Sequence, residues 1–82
     1  MKQIRVVVKF KEGLHARPAV KLIKLLSGTQ SEVTIIKNNE AYQAKSITSL
    51  LSAGITCGNS ISIKVEGPDE EKVAADLESY FA

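Results

Sequence analysis

The sequence predicts an α+β fold, an open-faced β-sandwich in which a four-stranded antiparallel sheet carries three helices on one face. The 82-residue chain offers four strand segments, two of which show the two-residue alternation of half-buried strands, and three segments with the spacing of amphipathic helices. Two of the strands flank Asn38-Asn39, a pair suited to a tight antiparallel turn. The elements follow one another in the order β-α-β-β-α-β-α, and because the apolar stripes of the helices need cover, we expect the helices to pack on one face of the sheet.

Three strands are predicted in the first half of the chain, the first of them by period-two alternation. The first runs over residues 4–10 and ends at Lys11-Glu12-Gly13. The second and third, residues 32–37 and 40–44, are joined by Asn38-Asn39, which tolerates the positive φ angles of a two-residue turn. These two strands are therefore expected to form a hairpin.

The first helix is predicted over about residues 16–27. Its buried stripe follows the i, i+3, i+4, i+7 spacing and consists of Ala19, Leu22, Ile23 and Leu26. Pro18 lies in the first turn, where a missing amide hydrogen removes no helical hydrogen bond, and Ser27-Gly28 offers an end. His15 is therefore expected at or next to the N-cap.

The second half of the chain predicts a short helix, a strand and a longer helix. Lys45-Ser46 opens the short helix and Gly54 closes it. Residues 60–66 alternate as the fourth strand, and the last helix begins near Asp69 with acidic residues in its first turn, where they suit the helix dipole. Its buried positions are Val73, Leu77, Tyr80 and Phe81. A ferredoxin-like split βαβ fold is the nearest alternative, but its simple form lacks the short helix.

Length and composition indicate one domain, residues 1–82, with an ordinary globular composition of 44% hydrophobic and 24% charged residues. The apolar runs are too short for a transmembrane segment or a secretory leader, so we expect a cytoplasmic protein without membrane insertion. Cys57, the one cysteine, cannot form an internal disulfide and is expected to be a packing residue. The chain has one cysteine and one histidine, which is too few for a zinc site built from these residues, and we expect no metal or cofactor.

Charge is distributed unevenly along the chain. Residues 1–24 hold seven Lys or Arg and one acidic residue, whereas residues 25–82 hold four Lys or Arg and eight acidic residues. The positive field around His15 suits an anionic substrate or an acidic partner. Phe10 is the one aromatic residue in the basic segment and no RNA-binding signature accompanies it, so nucleic-acid binding is not expected.

The segment Gly13-Leu14-His15-Ala16-Arg17-Pro18-Ala19 combines three features that suit a phosphohistidine. The imidazole of His15 is a nucleophile at neutral pH, and the unpaired amides of Ala16 and Arg17 at a helix N-terminus favour an anion. The Arg17 guanidinium can pair with phosphate oxygens through two hydrogen bonds. The alternative is a surface or capping histidine beside a solvated arginine, but the complete motif favours phosphorylation.

On this segment and on Lys45-Ser-Ile-Thr-Ser-Leu-Leu-Ser-Ala-Gly-Ile55, the sequence resembles the HPr family, histidine-containing phosphocarriers of the bacterial phosphoenolpyruvate-dependent sugar phosphotransferase system. The resemblance spans essentially the whole chain. It implies a relay in which enzyme I, charged by phosphoenolpyruvate, phosphorylates Nδ1 of His15, which then passes the group to the A component of a sugar permease. A carrier is therefore expected rather than a stand-alone enzyme, since no paired carboxylates or Ser-His-Asp set accompany His15.

The resemblance also implies regulation at Ser46, because some members are phosphorylated at this serine by a metabolite-controlled HPr serine kinase/phosphorylase and a catabolite-control regulator then becomes a partner. The alternative is a helix cap, and the two roles are compatible. A phosphate there would place a dianion beside apolar residues that meet partners.

The same resemblance implies a partner surface beside His15. A helical projection puts Ala16, Val20 and Ser27 on the flank of the buried face, with Lys24 next to them toward solvent. The predicted contacts are Val20, Lys24, Ser27, Ile47 and Leu51. Ile47 is expected to be exposed, whereas the alternative buries Ile47, Leu50 and Leu51 together in the core. Because enzyme I and the permease component dock in turn through one face, a monomer is the simplest expectation.

Three positions depart from the family pattern. Glu12 replaces a small polar residue and adds a carboxylate that repels an anion unless it points away. Thr48 replaces a large apolar residue and Ser49 a glycine, which alters partner contacts and recognition by the serine kinase. The alternative function is a regulatory HPr paralogue that binds control partners without sugar phosphotransfer, and onward flow of phosphate discriminates the two.

Overall fold

The computed structural model describes residues 1–82 and contains seven elements in the predicted order. They are β1 (Lys2–Val7), α1 (Ala16–Leu26), β2 (Glu32–Lys37), β3 (Glu40–Gln43), α2 (Ile47–Ser52), β4 (Ser60–Glu66) and α3 (Glu70–Phe81). The strands form one antiparallel sheet in the order β1-β4-β2-β3. The predicted open-faced sandwich is confirmed. None of the three helices combines the length and the apolar character that crossing a bilayer requires.

The core lies between the helices and one face of the sheet. Alternate residues of the two central strands are buried, and register pairs Ile35 of β2 with Ile63 of β4. α1 contributes Leu22 and Leu26 from its predicted stripe, and α3 contributes Leu77. Burial of these apolar side chains is the main stabilising contribution, and it fixes which face of α1 points away from solvent.

β1 differs from the strand predicted over residues 4–10. It begins two residues earlier, and its ladder with β4 ends at Val7. Beyond that point the N–H of Val8 donates to the carbonyl of Asn59 (2.9 Å), and its own carbonyl accepts from the N–H of Gly58 (2.7 Å). The chain therefore pairs with a loop here. The alternation of buried and exposed side chains continues after Val7, the last residue that pairs with β4. The predicted strand was therefore too long at its C-terminal end.

The other boundaries agree with the prediction to within two residues. Asn38 and Asn39 form the hairpin turn with φ angles of 51° and 66°, as their tolerance of positive φ predicts. β3 ends at Gln43, one residue early, and Ser27 caps the C-terminus of α1. Ser46, expected to open α2, is its N-cap. The expectation that Cys57 is a packing residue is wrong, because it lies in the turn before β4 and is exposed.

Asp69 connects the start of α3 to the loop between α1 and β2. It occupies the N-cap position, yet its carboxylate makes no capping hydrogen bond. Instead it accepts hydrogen bonds from the hydroxyl of buried Ser31 and from the N–H of Gln30, the latter at 2.9 Å. These hydrogen bonds, that of Ser31 first, lower the pKa of Asp69 because they favour the ionised carboxylate. The carboxylate thus connects the loop before β2 with the loop between β4 and α3.

Candidate functional site

His15 is the N-cap residue of α1, as predicted. Its backbone is extended, with φ −105° and ψ −159°, and its carbonyl accepts the N–H of Ala19 at 2.8 Å. The imidazole is exposed and makes no capping hydrogen bond. Its nitrogens are therefore available to an electrophile that approaches from solvent.

Two unpaired amide groups lie directly after His15. Ala16 and Arg17 are the first residues of α1, so their N–H groups have no acceptor inside the helix. Pro18 follows and has no N–H to contribute. The positive end of the helix dipole and two backbone donors therefore face the position next to the imidazole, which is the arrangement that binds anions.

An open cavity of about 560 Å³ lies between the turn at residues 10–12 and the start of α1, residues 15–18. Lys11, Glu12 and Arg17 line it beside His15. All three are exposed, and none of them forms an ion pair within the chain. The cavity thus offers two cationic side chains and one carboxylate to a bound group, and the structure brings Glu12 to the site as the sequence suggested.

Gly13 allows the segment before His15 to lie against the loop that precedes β4. Its φ is +75°, and a Cβ there would contact the carbonyl oxygen of Ile55 and lie 2.7 Å from Cα of Thr56. The N–H of the next residue, buried Leu14, donates to that same Ile55 carbonyl at 3.0 Å. His15 is therefore anchored through backbone contacts that leave no space for a larger residue at position 13.

Apolar side chains are exposed on both α1 and α2. Val20 is 45%, Ile47 38% and Leu51 42% exposed, whereas Leu50 is fully buried. The expectation that Ile47 is exposed is confirmed, and the alternative that buries all three residues of α2 is wrong. Because α1 packs against α2, these side chains belong to neighbouring helices. Ala16 and Lys24 of α1 and its C-cap residue Ser27 are also exposed.

Comparison with known proteins decides the family. The family described as "PTS HPr component phosphorylation site" matches residues 2–82. The chain belongs to the HPr family. It is similar to the phosphocarrier protein HPr of Treponema pallidum, at 31% identity over 81 residues that cover 99% of this chain and 90% of that protein. It is thus an HPr phosphocarrier protein of the phosphotransferase system.

Two solved structures extend the likeness from sequence to shape. An HPr from Thermoanaerobacter tengcongensis matches this HPr with a TM-score of 0.94 at 36% identity, over 99% of this chain and 91% of that one. Crh, the Bacillus subtilis catabolite repression containing protein, matches with a TM-score of 0.79 at 32% identity, over 99% and 93% of the two chains. The Crh crystal structure is described as a dimer with a swapped domain.

Ser46 of this HPr caps α2. Its hydroxyl oxygen accepts the N–H of Ser49 at 3.3 Å, and the residue is half-buried. The capping role weighed from the sequence is therefore present. The neighbouring Lys45 donates from Nζ to the carbonyl of Thr29 at 3.1 Å, which ties the start of α2 to the end of α1.

The structure places Phe10 and Tyr80 of this HPr differently from the sequence-based prediction. Phe10 was predicted inside a strand and instead lines the cavity. Tyr80 was predicted to be buried in the core, but it is half-buried and its hydroxyl reaches Pro18. The two partners of that hydrogen bond are 62 residues apart in the sequence. Helical periodicity predicts which side chains are buried, but not which distant residue they contact. No local signal identifies such a contact.

Proposed function

We propose that this HPr relays a phosphoryl group from phosphorylated enzyme I, through Nδ1 of His15, to the A components of sugar permeases. The observation that carries the proposal is the shared cavity: an exposed imidazole, two unpaired amides of Ala16 and Arg17, and the Arg17 side chain lie around one opening. Each of these groups has a separate task in phosphoryl transfer, and together they fit the chemistry of a carrier.

In the accepting step, the lone pair of neutral Nδ1 attacks phosphorus. The new N–P bond forms as the bond to the donor breaks, and the donor keeps that bonding electron pair. Because the transition state is loose, positioning and charge compensation matter more than covalent assistance. The Arg17 guanidinium and the amides at the start of α1 supply that compensation to the phosphoryl oxygens.

In the donating step, the same group must leave His15. An exposed helix N-terminus stabilises an anion by about 0.3 to 1 kcal/mol, which holds the phosphoryl group without trapping it. The cavity is open to solvent, so an acceptor can approach the phosphorus from the side opposite Nδ1. A shallow, weakly stabilising site therefore suits a carrier better than an enclosed one would.

The exposed charges and apolar side chains of the chain support a proposal for partner docking. Basic residues of the first 24 positions surround His15 in sequence, and exposed Val20, Ile47 and Leu51 provide apolar contact area on α1 and α2. This surface suits partners with an acidic rim and an apolar centre. We infer that enzyme I and the permease components use it in turn, with HPr as a cytoplasmic monomer that needs neither metal nor cofactor and contacts neither nucleic acid nor membrane.

We also propose Ser46 as a target of an HPr serine kinase/phosphorylase, with the phosphorylated form bound by a catabolite-control regulator. Its hydroxyl lies at the N-cap of α2, where a phosphate suits the helix dipole. The next residue is exposed Ile47. A dianion beside that side chain would weaken apolar docking by enzyme I without contact with His15.

The proposal is tested by incubating the chain with phosphoenolpyruvate and enzyme I and measuring its intact mass before and after acid treatment. We expect one added phosphate that acid removes, because a phosphoramidate at His15 is acid-labile. A phosphate that a serine kinase adds to Ser46 from ATP is a phosphoester and survives the same treatment, so one protocol separates both modifications. Failure of a competent enzyme I to label the chain would contradict the carrier role.

The second candidate function is that of a regulatory paralogue that binds control partners without sugar phosphotransfer. The likeness to Crh and the Glu12 carboxylate in the cavity favour it. The two functions differ in the onward step. If phosphorylated chain is mixed with permease A components, a carrier passes its phosphoryl group on, whereas a regulatory paralogue retains it.

Glu12→Gln is expected to increase the rate of phosphoryl acceptance about twofold to threefold at low ionic strength, because the carboxylate shares the cavity with the incoming anion. Rapid-quench measurement of the reaction with phosphorylated enzyme I gives the rate. Glu71→Gln is the matched control, since it removes the same charge from an exposed position of α3. An equal rate change in both variants would show that total charge, and not the position of Glu12, sets the effect.

A further inference from the structure

Tyr80 connects α3 to the first turn of α1. Its hydroxyl donates to the carbonyl oxygen of Pro18 at 2.6 Å. This is the one hydrogen bond between α1 and any other helix or strand. Pro18 is the third residue of α1, so the bond is made within the same turn that carries the two unpaired amides.

The ring of Tyr80 also supports the opposite wall of the cavity. It packs against Phe10, with ring centroids 5.2 Å apart and planes tilted by 56°, and edge-on against Phe81 at 5.1 Å. Phe10 lines the cavity, and its carbonyl accepts the N–H of Gly13 at 2.9 Å. One side chain of α3 therefore contacts the turn before His15 through its ring and the helix after His15 through its hydroxyl.

The first turn of α1 has few restraints of its own. Ala16 and Arg17 have no intrahelical acceptor for their N–H groups, and Pro18 has no N–H. The turn is closed by the hydrogen bond from Ala19 to the carbonyl of His15. The carbonyl of Pro18 is part of the helical ladder, so the hydroxyl of Tyr80 adds a tertiary restraint to a turn whose first residues donate no backbone hydrogen bond of their own.

We propose that Tyr80 is a positioning residue for phosphoryl transfer, whose hydroxyl holds the first turn of α1 so that the amides of Ala16 and Arg17 face the phosphoryl group on His15. The inference rests on the proposed function of His15. Tyr80 touches no reacting atom and acts through the Pro18 carbonyl. Misplacement of donors by a fraction of an ångström weakens transition-state stabilisation more than it weakens docking of the partner. The hydroxyl of Tyr80 is protonated at neutral pH and can donate, and burial raises its pKa further above the ordinary value.

Tyr80→Phe removes the hydroxyl and keeps the ring, and Tyr42→Phe is the matched control. Tyr42 is the other tyrosine; it lies on edge strand β3, where its hydroxyl donates to Glu40. In single-turnover reactions with phosphorylated enzyme I, Tyr80→Phe is expected to lower the maximal rate about threefold to tenfold, the effect of one neutral hydrogen bond. The half-saturating concentration stays unchanged. Tyr42→Phe is expected to match the parent in both quantities.

Hydrogen exchange of the Ala19 amide in the unphosphorylated proteins gives a second reading that does not depend on any partner. We expect faster exchange in Tyr80→Phe and parent-like exchange in Tyr42→Phe, because the bond from Ala19 to His15 closes the turn that Tyr80 holds. A lower melting temperature with an unchanged maximal rate would assign Tyr80 a merely structural role and overturn the inference. If the parent chain itself accepts no phosphoryl group, the proposed function fails and this inference with it; if the parent transfers and Tyr80→Phe transfers equally fast, this inference fails alone.

Discussion

His15→Ala is expected to abolish phosphoryl uptake from phosphorylated enzyme I while leaving the fold as stable as that of the parent chain. The imidazole is exposed and makes no capping hydrogen bond, so its removal opens no cavity and leaves no buried partner unsatisfied. We therefore expect the free energy of unfolding to change by less than about 0.5 kcal/mol. The chain has no second histidine to take over the chemistry. Intact mass after incubation with phosphoenolpyruvate and enzyme I measures the loss.

A competition experiment separates chemistry from docking in this variant. His15→Ala keeps the exposed residues Val20, Ile47 and Leu51. It is therefore expected to inhibit phosphorylation of the parent chain competitively, with an inhibition constant close to the concentration at which the parent half-saturates enzyme I. Acid-labile phosphate on the variant would contradict the assignment of His15 as the acceptor. Absence of inhibition would show that the imidazole itself contributes to docking.

Gly13→Ala is expected to lower the free energy of unfolding by about 3 kcal/mol or more. Two effects combine: a left-handed backbone conformation costs an alanine about 1 to 2 kcal/mol, and the new Cβ collides with backbone atoms of Ile55 and Thr56, which cannot rotate away. Relief of the collision displaces Leu14, whose N–H is bonded to Ile55, and with it the backbone that carries His15. Slower phosphoryl uptake should therefore accompany the loss of stability.

Gly28→Ala isolates the first of these effects. Gly28 also has a positive φ, +84°, but a Cβ there would meet no atom within 4 Å. We expect it to lower stability by about 1 to 2 kcal/mol, the conformational cost alone, and to leave the rate of phosphoryl uptake unchanged. Urea denaturation of the parent and both variants measures the difference. Equal destabilisation by the two substitutions would contradict a steric requirement at Gly13.

Local patterns predicted the elements well where local forces determine them. β2 and β4 have the predicted bounds because one of their faces is buried along the whole length, so alternation starts and stops with the strand. α1 follows from its apolar stripe, and Pro18 with His15 marks its start. In β1 the side chains continue to alternate after the strand ladder ends, and there the same rule placed the boundary three residues too late.

The parts of the site that sequence reasoning missed depend on distant pairs. The motif around His15 identified the nucleophile, the amides and Arg17 because all lie within three successive residues. The contact of Gly13 with Ile55 and the hydrogen bond of Tyr80 with Pro18 join positions that no helical or strand period relates. The motif therefore gives the chemistry, while the elements that hold the motif in place are known only from the fold.

The pairing of β1 with β4 has a consequence for when the site exists during synthesis. A nascent chain that has emerged as far as β3 already contains His15 and Arg17, and its hairpin of β2 and β3 can form from neighbouring residues. β1 has no strand partner until β4 follows, and Leu14 lacks its acceptor until Ile55 emerges. Because such long-range contacts form late, we expect the anion site to mature only near the end of translation, so that an incomplete chain carries the histidine without the geometry around it.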